Sequence, residues 1–331
     1  MVYLSKNLKI RPYARLITML GDQLIKNEII ALVELIKNSY DADASWVKVS
    51  FVDFNEDFSI NPSSKIVIED DGCGMDEKIL EKHWLNPATP DKLKRKSEKT
   101  LTDKGRIMQG EKGIGRFAIF KLGKDIKIIS RRQKQTDKNS QSDKEIIQNK
   151  FIDEGEDVEN YLSYNFSNYD DNFLSENGEE KELFLDDLNI VLETEQSPKV
   201  IIEKKILLGT SEIVRKPYGT RIEISDLKSN WTAAKIEKVQ REIGKMQPIF
   251  AKDDFSDFHV WIYQDENIHI SQERYKEKLA ICLENKSVFK VKNGKFDSST
   301  NEIKFELNDR TIELSFNDSD ITGLRLFQKY F

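Results

Sequence analysis

Apolar residues recur at helical spacing over residues 27–41, where Ile29, Leu32, Val33 and Ile36 share one face. An earlier helix is predicted over "PYARLITMLGDQ" (12–23), with Pro12 near its start. Alternation and β-branching predict strands over "WVKVSFVDF" (46–54) and "SKIVIED" (64–70), the second running into acids and a glycine turn. "DEKILEKHW" (76–84) and "IGRFAIFKLG" (114–123) read as helices, and "DIKIISRR" (125–132) as a strand. Between those two helices, residues 86–112 are polar, lysine-rich and carry two prolines. A connection of that length inside a compact domain is usually a lid over a site or a linker.

Residues 153–195 hold fifteen acids against the single Lys181, which predicts a solvated insertion over about 153–198. Strand patterns return in "KVIIEKKIL" (199–207) and "YGTRIEISDL" (218–227). A helix over "AAKIEKVQREIGKM" then sets Ile236, Val239, Ile243 and Met246 on one face. Past Phe250 come the alternating "FHVWIY" (258–263), a helical "QERYKEKLAICLEN" and the strand-like "SVFKVK" and "EIKFELNDRTIELSF". This tail reads as the start of a second α+β domain, so the predicted division is 1–250 and 251–331, the second part cut short.

Composition narrows the class. At 331 residues, with 38% hydrophobic residues, the chain can bury a sizeable core. A net charge of −6 argues against a nucleic-acid grip by the whole chain, although the basic run "KLKRKSEK" (92–99) leaves a local contact open. The two cysteines, Cys73 and Cys282, make neither a disulfide framework nor a zinc cluster and suit a reducing cytosol. Neither a signal peptide nor a membrane span is visible in the hydropathy pattern, so a soluble cytoplasmic protein is expected.

Three stretches carry candidate chemistry. At 100° per residue, Glu34, Asn38 and Asp41 fall in a stripe roughly 60° wide, and Asn27 falls there too. Alone, that stripe fits a solvated helix face. "IEDDGCGMD" (68–76) is a strand running into D-x-G-x-G, with Asp70, Gly72 and Gly74. Its glycines would let a ligand approach the backbone, and its acid can accept a hydrogen bond from an exocyclic amine. A plain β-turn fits it as well. In "QGEKGIGRFAIF" (109–120), Gly110, Gly113 and Gly115 precede a helix start, an arrangement of free N–H groups that suits phosphate, with Lys112 and Arg116 nearby. It is neither a Walker loop nor a dinucleotide turn, whose glycine orders differ.

Together, in this order, the stretches resemble the GHKL ATPase superfamily of gyrase B, the heat-shock chaperone, histidine kinases and MutL. "ELIKNSYDADA" is similar to its N-box, "DDGCGM" to its adenine box, "GEKGIGRFA" to its glycine-rich lid box and "YGTRIEI" to its later threonine-bearing strand. The resemblance covers about residues 10–250 and looks closest to chaperone-like and MORC-like members. It implies an α/β two-layer sandwich of Bergerat type, with a mixed, largely antiparallel sheet and helices on one face, followed by part of a transducer-like α+β domain.

The resemblance also implies ATP and Mg²⁺ as ligands. Asn38 would ligate the metal, Glu34 would act as general base on water, and Asp41 would line the pocket. Asp70 would accept from the adenine amine with Thr220 helping through water, while Gly72, Gly74 and Met75 shape the adenine pocket. Lys112 and the amides of Gly113 to Arg116 would hold the β- and γ-phosphates, and Gly110, Ile114 and Phe117 belong to the same binding motif. The implied activity is slow ATP hydrolysis with lid closure and a homodimer formed on nucleotide binding, acting on a partner protein or DNA. The alternative is an ATP sensor that does not hydrolyse. The family's usual lysine from the following domain has four indistinguishable candidates, Lys290, Lys292, Lys295 and Lys304. Histidine-kinase activity is disfavoured, because His83, His259 and His269 all follow the N-box.

Overall fold

The computed structural model describes residues 10–14, 16, 19, 21, 23, 25–86, 101–109, 115–135, 151–167, 184–244, 258–271, 291–308 and 310–315. The predicted helix over 272–285, most of the lid (87–100 and 110–112) and residues 168–183 of the acidic segment lie outside them. The chain forms two compact units, Met1–Gln272 and Glu273–Phe331.

In the first unit, helix α1 (Glu28–Asp41) is followed by strands β1 (Trp46–Val52) and β2 (Lys65–Asp70). Helix α2 (Glu77–Ile79) runs into a π-helical turn (Leu80–Trp84), and a 3₁₀ turn (Gly115–Ala118) runs into helix α3 (Ile119–Leu122). Then come β3 (Gly123–Arg131), β4 (Gln133–Gln135), β5 (Phe151–Gly155), β6 (Glu159–Asn165), β7 (Ile190–Glu195), β8 (Lys204–Leu208), β9 (Ser211–Arg215) and β10 (Gly219–Leu227). Helix α4 (Ala233–Gly244) and strands β11 (His259–Gln264) and β12 (Asn267–Ser271) close the unit.

Eight strands make one sheet in the order β12-β11-β1-β2-β10-β3-β6-β7. Its pairs are antiparallel except β1 with β11, which is parallel, so the sheet is mixed and largely antiparallel. This is the predicted α/β sandwich. Register explains its core. Val49, Ile68, Ile222, Ile128 and Leu162 pair across five strands, and Phe51, Ile66, Ile224, Ile126 and Tyr164 form the next rung. Side chains two apart share a face, so both rungs bury against one layer. Helix α1 covers them with Ile29, Leu32, Val33, Leu35 and Ile36, and α4 packs beside it through Ile236, Val239 and Ile243. A Lys235–Glu28 ion pair ties the two helices.

Two features differ from the sequence reading. The segment read as a solvated acidic insertion supplies β6 and β7. Within "ENYLSYN" the alternation of Asn160, Leu162 and Tyr164 points inward, and average charge conceals that period. Strands β11 and β12, placed at the start of a second domain, pair into the sheet of the first. The division accordingly falls after Gln272, since six residues of β11 pair in register with β1.

The described part of the second unit is a meander of β13 (Val291–Asp297), β14 (Glu302–Leu307) and β15 (Arg310–Ser315).

Candidate functional site

Helix α1 starts on Asn27, whose side chain accepts the Ile30 N–H at 3.0 Å. Asn27 therefore caps the helix although it shares the polar stripe. Further along, Glu34, Asn38 and Asp41 are half-buried, while Ile36 and Leu35 beside them are fully buried. Glu34 Oε1 accepts from Lys37 Nζ at 2.8 Å. The Asn38 amide nitrogen is buried and has no hydrogen-bond partner among the described residues. Asp41 Oδ1 accepts the Gln109 N–H at 2.7 Å, fastening α1 to the chain that leads into the glycine motif.

The end of β2 turns directly against the end of α1. The Cys73 N–H donates to Ala42 O at 2.8 Å, and Ser39 Oγ, one helical position beyond Asn38, donates to Asp70 Oδ2 at 2.7 Å. Asp70 Oδ1 accepts from the Gly72 N–H at 3.0 Å and the Thr220 N–H at 3.2 Å. Gly74 holds the turn with φ +64°, and a Cβ there would lie 2.0 Å from Arg131 O. No other residue fits that position.

Strand register then extends the polar character sideways. Asp70 pairs with Thr220, Thr220 with Ser130, Ser130 with Asn160 and Asn160 with Thr194. This rung lies one step beyond the apolar rungs, on the same face. Its members bond one another and the adenine-box turn. Ser130 Oγ accepts the Met75 N–H at 2.8 Å, lies 3.1 Å from Gly219 O and 3.0 Å from Thr220 Oγ1. Asn160 Nδ2 donates to Met75 O at 3.4 Å, and its Oδ1 accepts from Thr194 Oγ1 at 3.0 Å.

The glycine motif reaches the site at one described residue. A Cβ on Gly115 would stand 2.9 Å from Glu34 Oε2, so the backbone here runs against the acid, whose carboxylate would have to swing aside for a larger residue. Gly110, Lys112, Gly113 and Ile114 lie outside the described residues. Arg116 is half-buried, and the ring of Phe117 stacks on Phe120 at 5.6 Å inside the core, leaving only its backbone for a ligand. The chain approaching the motif folds onto the end of α1. Thr102 donates to Asp43 Oδ1 at 2.5 Å, and the buried Arg106 donates to Ala44 O at 2.7 Å and Tyr40 O at 3.2 Å.

Burial pushes the Asp70 carboxyl up to about 6, against the lowering pull of its Ser39, Gly72 and Thr220 hydrogen bonds. Near neutral pH it is therefore mostly an anion among the polar groups of this rung, and three described donors leave one of its carboxylate lone pairs to offer. Burial also pushes the Cys73 thiol up to about 11, which leaves it no nucleophile.

Of the residues singled out from sequence, Asp70, Gly72, Gly74, Met75 and Thr220 gather where β2 ends, while Glu34, Asn38 and Asp41 line the α1 stripe, with Gly115 against Glu34. Ser39, Arg106, Ser130 and Asn160 were not anticipated. Ser39 adjoins the motif asparagine. The other three act through pairing or packing with residues far away in sequence, which no local pattern reports.

Residues 27–170 match the family model "Histidine kinase-, DNA gyrase B-, and HSP90-like ATPase". The match spans α1, the D-x-G-x-G turn and the glycine motif, and it supports the GHKL superfamily for this domain without choosing a branch. No curated protein matches the chain. Among the described residues, no helix is long and apolar enough to cross a membrane.

Proposed function

We propose that the first unit binds ATP with Mg²⁺ and hydrolyses it slowly, closing a lid and a dimer that act on a partner protein or DNA. The observation that carries the reading is the convergence of three separated segments. Asp70 is bonded to Ser39 of α1 and to Thr220 of β10, while Gly115 abuts Glu34 one turn before Asn38. The family match supports nucleotide binding in general terms.

In this reading Asp70 accepts the adenine amine, and Thr220 and the Gly72–Met75 turn form the base pocket. The Asn38 amide nitrogen is a donor with no partner among the described residues, which fits a residue meeting a phosphate oxygen. Asn38 would hold Mg²⁺ through its side-chain oxygen, and the ion would supply charge neutralisation. Lys112 and the amides of the glycine motif hold the terminal phosphates, and Asp41 secures the base of the lid. Glu34 takes a proton from the attacking water. Positioning and charge do most of the work in phosphoryl transfer, so turnover is expected at about 0.001–1 s⁻¹.

One contact favours the second reading, an ATP sensor. Lys37 Nζ donates to Glu34 Oε1 at 2.8 Å and competes with water for that carboxylate. Steady-state phosphate release by the wild type and Glu34→Ala separates the two, with calorimetry of a non-hydrolysable analogue and Mg²⁺ as the binding control. A loss of about 100-fold or more with binding intact supports hydrolysis. Equal background rates leave the sensor, and no heat of binding removes both. The chaperone-like and MORC-like branches predict dimerisation on adding the analogue, measurable by size exclusion.

A further inference from the structure

Helix α1 ends with acids where its dipole favours bases. Asp41 is its last residue, Asp43 follows, and no basic residue stands in the last turn, although that end of a helix already carries partial negative charge. The counter-charge comes from elsewhere in the chain. Residues 102–106 make a tight turn, closed by the Gly105 N–H on Thr102 O at 2.8 Å and the Thr102 N–H on Arg106 O at 2.9 Å, with Gly105 at φ +77°. Thr102 Oγ1 accepts the Arg106 N–H at 3.0 Å and donates to Asp43 Oδ1, so one hydroxyl ties the turn to the acid. The Lys104 N–H donates to Asp43 Oδ2 at 3.2 Å. Buried Arg106 then reaches the helix end itself. Its Nη1 donates to Tyr40 O and Ala44 O, and its guanidinium lies 4.7 Å from the Tyr40 ring centroid and 5.6 Å from that of Phe258.

This seat fixes one end of the glycine motif. Gln109, the residue before Gly110, gives its N–H to Asp41, and Gly115 stands against Glu34 at the other end. With Glu34 and Asp41 two helical turns apart, the ends of the motif are set about 10 Å from each other along α1. Asn38 lies between them, its amide nitrogen without a partner among the described residues. We propose that Arg106 is a positioning residue for the triphosphate: it holds the approach to the glycine motif on α1, so that the motif meets phosphate already ordered. Ordering that is complete before binding no longer subtracts from affinity. The effect falls on phosphate rather than on base, whose pocket is built on Asp70, Thr220 and the Gly72–Met75 turn.

Because the proposal rests on the ATP-binding reading, two ligands are compared in the full chain with Mg²⁺. A non-hydrolysable ATP analogue is titrated calorimetrically, and adenosine, which has the base and no phosphate, is measured by displacing that analogue. Arg106→Met keeps an apolar stem beside the two rings and removes the guanidinium donors. Affinity for the analogue is expected to fall about tenfold or more, with a less favourable binding entropy, while that for adenosine changes by less than about twofold. Thr102→Val cuts the turn from Asp43 without altering the Arg106 side chain. It should shift the analogue-to-adenosine ratio the same way by about threefold, which keeps the test decisive should Arg106→Met not fold. A merely structural loosening would weaken both ligands alike and leave their ratio at the wild-type value. That result in the variants that fold overturns the inference while ATP binding stands. A wild type that binds neither ligand overturns both.

Discussion

Three successive rungs of the main sheet share one face, the same five strands and one register, yet differ in chemistry. The inner two carry Phe51, Ile66, Ile224, Ile126 and Tyr164, then Val49, Ile68, Ile222, Ile128 and Leu162. The outer one carries Val47, Asp70, Thr220, Ser130 and Asn160. The inner rungs disappear beneath α1 and α4 and hold the unit together. The outer rung lies where α1 ends, and its polar groups are bonded to one another, to the turn and to Ser39. Backbone geometry is common to all three, so the division between stability and recognition rests on side chains alone. Substitutions in the two kinds of rung should therefore separate cleanly.

The sharpest break is expected from Asp70→Asn. Asparagine can still accept from Gly72 and Thr220, but it turns a donor toward the base, and ATP affinity should drop about a thousandfold while the thermal midpoint stays within a few degrees. Calorimetry and thermal melting check it, and a matching collapse in stability would erase the distinction. Ile128→Ala is the opposite case. Urea unfolding should show a loss of about 3 kcal/mol from the cavity, with ATP affinity unchanged.

Acidity sharpens the comparison with a smaller effect. The Asp70 carboxyl titrates near 6 in the folded chain and about 3.9 unfolded. Between those values the folded state binds the extra proton, so this group's contribution raises stability as pH falls through the window and is constant above it. Base recognition runs the other way, since a protonated acid no longer offers both acceptors. Affinity should fall about tenfold per unit below pH 6. The wild type should gain stability relative to Asp70→Asn as pH falls from about 6 to about 4, measured by denaturation at a series of pH values.

What was legible in the sequence was whatever is encoded locally. The α1 helix predicted from residue 27 begins at Glu28 with Asn27 as its cap, and the glycine turn after β2 lies at Gly72–Gly74. Strand β3 and helix α4 lie where alternation and helical spacing put them. The rung was hidden because pairing over 90 residues, as between Ser130 and Thr220, leaves no trace in either segment. Asn160 was further obscured by the acids around it, whose summed charge outweighed a period of two. Phe117 is a motif position whose aromatic ring belongs to the core, a packing role that the glycine pattern around it does not report.

The parallel pairing of β1 with β11 has a consequence for how the polypeptide is made. The strand that covers the outer edge of β1 leaves the ribosome more than 200 residues after it, at His259–Gln264. Until that stretch has been translated, a long apolar edge stands open to neighbouring chains. A recombinant fragment ended at residue 250 would keep every nucleotide motif and still tend to aggregate, whereas one carried through Gln272 would take its own cover with it.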